Sequence, residues 1–258
     1  RTGINADRIT LVRNGPDLAR FPAPAPQRWS GTIDVGYIGD MNPQDGVENL
    51  LLAAHYLRHT LGCRDIRYVL IGDGHELYSL KQRAAELCLD PVVTFTGRLT
   101  HSAAMQRLSS CALCVQPDLK NPFNDSCVMV KSLEYMALGK PIVAFDLTET
   151  QNICGDAALY ATGNNPHDLA GKILTLAKDA ELCGRLGQIG RRRVEERFAW
   201  SISEQRLLEC YRRLHHRGQT DAASIAAYDA VPAAADGEAI TEAQMQPQLP
   251  PVIKIATE

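Results

Sequence analysis

From residue 33 to 145, short apolar runs alternate with longer amphipathic ones. IDVGYIG precedes VENLLLAAHYL, RYVLIG precedes HELYSLKQRAAEL, VVTFTG precedes SAAMQRLSS, ALCVQP precedes a helical stretch ending at Leu138, and PIVAF closes the series. Short runs rich in Val, Ile, Leu and Phe read as strands buried on both faces, and the segments between them, with apolar positions three and four apart, read as helices. Strands joined by such helices must lie parallel, and right-handed crossovers put helices on both faces of one twisted sheet. The pattern predicts an α/β fold, a Rossmann-like doubly wound parallel sheet. A further strand is expected at ALYA, 158–161, and then helices near 166–178, 181–197 and 201–214 that pack on the sheet's flank.

The ends of the chain read differently. RITLVRNGPDLARFPAPAPQ carries one apolar run, a turn at NGPD and then prolines, which predicts a strand and a connector over residues 1–30. The main domain is expected over 31–216. Beyond His216, Ala, Pro, Gln and acidic residues follow with little periodicity, so 217–258 is expected to be a disordered tail. The first residue is Arg1, and the chain is expected to be part of something longer.

In doubly wound sheets, ligands bind outside the carboxyl ends of the strands. The loops there are GDMNPQDG, GDGH, TGRLT, PDLKNPFND and DLTETQN. The fourth leads into NDSCVMVKSLEYMALGKPIVAFD, Asn124 to Asp146. Asn124, Asp125 and Ser126 are all good N-cap residues and good helix formers follow, so a helix is predicted from near Ser126 to Leu138. Gly139 and Pro141 mark its stop. Lys131 and Glu134, three apart, share a face, and two readings stand side by side. They form a solvent-facing ion pair, of about 0.2 to 0.5 kcal/mol. Alternatively, free N–H groups at the helix start and Lys131 attract phosphate while Glu134 accepts ribose hydroxyls.

The other loops add less. Gly72 and Gly74 permit a tight turn with close backbone approach, but neither GxGxxG nor GxxxxGK[ST] is present, which argues against a dinucleotide fold or a P-loop ATPase. Gly39 and Gly46 bracket a polar loop whose Asp40, Gln44 and Asp45 can bond sugar hydroxyls and repel phosphate. Arg98 is either a second cation for the crevice or an exposed arginine without a ligand.

Bulk composition excludes several classes. At 258 residues, with 45% hydrophobic and 22% charged residues, the chain can bury a sizeable core. A net charge of −3 argues against general nucleic-acid binding, and no apolar run approaches the roughly 20 residues a membrane span needs. The eight cysteines are scattered through apolar segments, as suits reduced thiols in the cytoplasm. Cys111 and Cys114 form a CxxC within an expected strand, with nothing nearby to complete a zinc site. His55 and His59 are spaced four apart but read as a helix face, and His75 and His101 each begin a helix. No Ser/His/Asp set is visible. An enzyme built this way would stabilise a leaving group, holding a departing nucleoside diphosphate with cations and N–H donors.

With these residues in hand, the chain resembles the C-terminal, donor-binding half of retaining GT-B glycosyltransferases of family 4, and is most similar to the branch acting in bacterial exopolysaccharide, capsule and O-antigen synthesis. The resemblance runs from about residue 4 to 214 through VRNGPDLARF, YIGDMNPQDGVENLLLAA, YVLIGDGHE, VTFTGRL, QPDLKNPFNDSCVMVKSLEYMALGKPIVAFDLTE, CGDAALYA and GRRRVEERFAW. It implies a UDP- or GDP-linked sugar as donor substrate, with no other cofactor and no metal. The base would lie against backbone near Gly97 and Arg98 and the ribose at Glu134. The diphosphate would meet Lys131 and N–H groups of Ser126, Cys127 and Val128. It also implies an acceptor domain N-terminal to this one and absent here, a glycan or lipid-linked acceptor, and work in the cytoplasm, at the inner face of the bacterial plasma membrane. The chain departs from the family at Ser126, where a sugar-facing glutamate is usual, with Asp125 beside it. It departs again at Asp40, Gln44 and Asp45, where an arginine and a lysine are usual. Two alternatives follow: a sugar-nucleotide epimerase of the same architecture, and a non-catalytic nucleotide-sugar-binding domain.

Overall fold

The computed structural model describes residues 9–24 and 31–220. Its strands are β1 (Ile33–Ile38), β2 (Ile66–Ile71), β3 (Val93–Gly97), β4 (Leu113–Gln116), β5 (Ile142–Phe145) and β6 (Ala158–Ala161). Between and after them come α1 (Val47–His55), α2 (Leu77–Glu86), α3 (His101–Ser109), α4 (Pro122–Asp125), α5 (Val130–Ala137), α6 (Thr148–Cys154), α7 (Pro166–Lys178), α8 (Ala180–Arg197) and α9 (Trp200–Thr220). The six strands form one sheet in the order β3-β2-β1-β4-β5-β6, and every pairing is parallel. Because β1 leads outward to β2 on one side and β4 to β5 on the other, the chain reverses direction between β1 and β4. A crevice opens at such a reversal.

Both faces of the sheet are covered. Leu50, Leu51, Leu80, Leu169 and Ile173 from α1, α2 and α7 pack on Val35, Tyr37, Leu70 and Phe145 on one face. Met105, Leu108, Leu133, Met136 and Val194 from α3, α5 and α8 pack on Val69, Ile71, Cys114 and Ala144 on the other. Each buried Val, Leu, Ile, Phe or Met among them contributes about 1.5 to 3 kcal/mol of transfer free energy, which is why the apolar runs predict the layers. Residues 14–201 make one compact unit, and the described residues 9–13 and 202–220 group separately.

Four expectations need correction. No strand forms within residues 9–17, where the chain is irregular up to a short 3-10 turn at Leu18–Arg20. Leu113 starts β4, so Cys111 precedes the strand, and both CxxC thiols are buried and outside any disulfide. The expected tail boundary at 216/217 falls inside α9, because Gly218, Gln219 and Thr220 continue the helix; the rest of the tail lies outside the described residues.

The fourth correction matters most. The helix predicted from Ser126 begins four residues later, at Val130. Asn121 caps a separate short helix, its Oδ1 accepting from Phe123 N (3.0 Å) and Asn124 N (2.9 Å), with Pro122 in its first turn. The three residues that look like N-caps serve other elements. The Asn124 amide donates to the Gln44 and Leu119 carbonyls at 2.9 and 2.8 Å. Asp125 accepts from Thr148 N and Oγ1, both at 2.8 Å, at the start of α6. Ser126 Oγ donates back to the Phe123 carbonyl at 2.9 Å. Met129, which has no capping oxygen, is left at the start of α5, while Gly139, at φ +66°, ends it as the sequence predicts.

Candidate functional site

A cleft of about 330 Å³ opens at the β1/β4 reversal, lined by Ile38 and Gly39 from the end of β1, the loop residues Asp40, Asn42, Gln44 and Asp45, and Val128 to Lys131 with Glu134. Two loops make its floor. The β1–α1 loop curls into a 3-10 turn at Pro43–Asp45 and leaves through Gly46 at φ +65°. A Cβ on Gly46 would stand 2.0 Å from the Pro117 carbonyl oxygen, so glycine is what lets this loop lie against the one leaving β4. Leu119 N and Asn124 Nδ2 both donate to the Gln44 carbonyl, at 3.0 and 2.9 Å, and stitch the two loops together.

Lys131 is held down into this floor. Its Nζ lies 2.7 Å from Asp118 Oδ1, 3.1 Å from Asp45 Oδ1 and 5.3 Å from the centre of the Tyr37 ring. Its side chain is 11% exposed, Asp45's 14% and Asp118's 3%. Burial raises the pKa of Asp118 from its ordinary value, and the neighbouring Lys131 ammonium pulls against that shift. The second Asp118 oxygen is buried without a hydrogen-bond partner. Gly39 gives the lysine its passage, since a Cβ there would sit 3.2 Å from Lys131 Cε and 2.7 Å from the Tyr37 hydroxyl.

Glu134, which lines the same cleft, has a different partner. Its Oε1 lies 3.3 Å from His101 Nε2, and its side chain is 18% exposed. Burial raises its pKa, and the imidazole opposes that effect. The ion pair between Lys131 and Glu134, one of the two readings of the sequence, does not form: one residue turns to Asp118 and Asp45, the other to the start of α3.

The backbone donors also differ from expectation. Ser126 N and Cys127 N are spent on the Phe123 and Asn124 carbonyls at 3.2 and 3.1 Å. The first N–H of α5 to find a backbone acceptor is that of Ser132, which reaches Met129 O at 3.1 Å. Those of Val128, Met129, Val130 and Lys131 have no acceptor among the described residues, and all four residues line the cleft. A helix N-terminus of this kind favours an anion. Behind it, Tyr135 Oη accepts from Ile38 N at 2.9 Å, and Ser132 Oγ donates to the buried Gln116, whose amide reaches Thr150 Oγ1 at 2.7 Å. These bonds fix α5 against β1, β4 and α6.

The cleft therefore gathers Gly39, Asp40, Gln44, Asp45, Val128, Lys131 and Glu134. Gly97, Arg98, Asp125, Ser126 and Cys127 do not line it. Gly97, at φ +70°, accepts Gly72 N–H at its carbonyl (3.0 Å), and Arg98 is exposed at the exit of β3. The close approach allowed by Gly72 and Gly74 is to the chain itself, since added Cβ atoms would stand 1.9 Å from Gly39 O and 2.6 Å from Met41 N. Sequence reasoning missed Asp118 and His101 as partners. Asp118 stands in the PDLKNPFND loop and His101 at a helix start, but nothing local ties either to α5. Among the described residues, no three His, Cys, Asp or Glu side chains converge on a possible metal ion, and no helix is long and apolar enough to cross a membrane.

A family model described as "Glycosyl transferases group 1" matches residues 32–179, more than half of the chain. The chain is 26% identical over 206 residues to a glycogen synthase of Mycobacterium tuberculosis, a match covering 77% of this chain and 47% of that protein. Among solved structures, sucrose-phosphate synthase from Thermosynechococcus elongatus is similar at a TM-score of 0.69 and 22% identity, over 80% of this chain and 53% of that one. Anabaena Alr3699/HepE, solved in complex with UDP, is similar at 0.64 and 19%, over 82% and 59%. At these identities the structural likeness speaks for the fold. The chain spans about half the length of this curated relative and of these two solved structures.

Proposed function

The chain belongs to the group 1 glycosyl transferases and has the sheet of a GT-B C-terminal half, and from that premise we propose that its cleft binds a UDP- or GDP-linked sugar as glycosyl donor. One observation carries the reading. At the β1/β4 reversal, four unspent N–H groups, a lysine and a carboxylate one turn further on line a single opening. The N–H groups of Val128 to Lys131 take oxygens of the diphosphate. Lys131 adds its charge by exchanging Asp45, its more exposed partner, for a phosphate oxygen while keeping Asp118. Glu134 accepts ribose hydroxyls, and the base lies towards Gly97 and Arg98, the nearest loop candidate for a further cation. Catalysis in this scheme is stabilisation of the departing nucleoside diphosphate, retaining and without a metal.

The acceptor, a glycan or lipid-linked sugar, is taken by a further N-terminal domain, and the 258-residue chain alone binds donor without transferring from it. A polysaccharide pathway at the inner face of a bacterial membrane is part of the same proposal. The non-catalytic alternative has two observations in its favour. Lys131 is already neutralised by two carboxylates, and the sugar end is committed elsewhere, with Asp125 on Thr148 and Ser126 on the Phe123 carbonyl.

Calorimetric titration with UDP, GDP and their sugars tests the proposal. One nucleotide is expected to bind one-to-one, and Glu134→Ala to weaken it by about 1 to 3 kcal/mol, the range for a charge-assisted hydrogen bond. A folded sample that binds none of them overturns the reading. Donor hydrolysis or transfer, measured with the N-terminal half restored, separates an enzyme from a binding domain.

A further inference from the structure

We propose that His101 is a positioning residue for Glu134, fixing its carboxylate at the ribose end of the cleft; this rests on the donor-binding reading above. Glu134 borders two openings. One is the donor cleft, and the other, of about 260 Å³, is bordered by Asn14, Asp17, Arg20, Phe21, His101 and Trp200. An unrestrained glutamate there has rotamers facing either side, and a carboxylate that is to accept two vicinal hydroxyls must keep one of them. His101 Nε2, at 3.3 Å, is the only partner of that carboxylate among the described residues.

The imidazole is itself well anchored. It belongs to the first residue of α3, which Thr100 caps by accepting from Ala103 N at 3.4 Å. Its ring meets that of Phe21 edge to face, with centroids 5.5 Å apart and planes at 86°. Phe21 follows the turn at Leu18–Arg20, and the start of that connector is pinned where Trp200 N donates to Pro16 O at 2.9 Å. A Cβ on Gly15 would stand 1.9 Å from the Phe198 carbonyl oxygen, so the backbones touch there. The connector therefore sets the ring, and the ring sets the carboxylate. The other charged groups bordering the second opening with His101 are Asp17 and Arg20.

The test compares two probes on the full chain by calorimetry: the nucleoside diphosphate that binds best, and its 2′,3′-dideoxy analogue. The wild type is expected to prefer the hydroxylated probe, and Glu134→Ala to erase the preference. His101→Ala should cut the preference about tenfold while changing affinity for the dideoxy probe little, and His101→Gln, which keeps an N–H donor, should restore most of it. If His101→Ala loses its fold by circular dichroism, His101→Asn, whose amide is too short to reach, takes its place. A His101 variant that weakens both probes equally, leaving the preference intact where Glu134→Ala erases it, overturns the inference and spares the donor-site reading. A preference that survives Glu134→Ala overturns both.

Discussion

Lys131 and Lys140 stand at opposite ends of α5, and the two ends handle a buried amine in different ways. Lys131, at the cleft, is 11% exposed and has two carboxylates and an aromatic face around its ammonium. Lys140, just beyond the helix stop, is 3% exposed and makes no ion pair among the described residues. Burial lowers its pKa, and its neighbours are the thiols of Cys111, Cys114 and Cys183, which oppose that shift. At the far end the fold simply disfavours the charge. At the cleft it keeps a compensated cation and accepts the desolvation of Asp118 to do so. Compensation of this kind costs stability against a well-packed apolar side chain, and it falls at the end of the helix where the proposal places the donor.

Replacing each lysine by methionine is the strongest way to break that comparison. Lys131→Met leaves Asp118 and Asp45 facing one another without a cation, and about 3 to 5 kcal/mol of unfolding free energy should be lost in urea titration. Lys140→Met keeps the length and removes an amine that burial disfavours, so the same titration should show no loss, or a gain of up to about 2 kcal/mol. Equal losses in the two variants would show that both lysines are structural and that the cleft end has no special status.

How much of this contrast the sequence could show depends on the range of the interactions. The strands and helices of the sheet follow from local apolar runs, and the stop of α5 from Gly139 and Pro141, all properties of neighbours in the chain. The start of α5 was illegible for a physical reason. Asn124, Asp125 and Ser126 have the chemistry of caps, but long-range partners at Gln44 and Thr148 outcompete the local helix for Asn124 and Asp125. The same holds for the site. Lys131 and Glu134 are visible as a charged pair, yet Asp45 and His101, which separate them, lie far away in sequence, where helical periodicity carries no signal.

Asp45→Asn sharpens the comparison from the ligand side. If Asp45 occupies the position a phosphate oxygen takes, its removal frees one direction of the Lys131 ammonium and lifts a local repulsion. Affinity for the nucleoside diphosphate should rise by about three- to tenfold, the scale of ~1 kcal/mol, while stability falls by less than in Lys131→Met. Weaker binding in this variant, measured by calorimetry at low salt, would assign Asp45 to holding the ligand instead.

The smallest effect is the pH dependence, in which the two ends should tilt opposite ways. Asp118 has a folded pKa raised above its ordinary value of 3.8, so through the window above 3.8 the native state holds more protons than the unfolded chain. Its contribution to stability therefore falls as pH rises through that window. Lys140 has a folded pKa lowered from 10.5, so in the window below 10.5 the unfolded chain holds more protons, and its contribution rises with pH up to that value. Thermal melts across both windows check this. Subtracting the Asp118→Asn curve from the wild type should leave a downward slope on the acid side, and subtracting Lys140→Met an upward slope on the alkaline side. Slopes of the same sign would mean that the cleft carboxylate is stabilised as an anion, and that the cost assigned to keeping a compensated cation there is borne elsewhere.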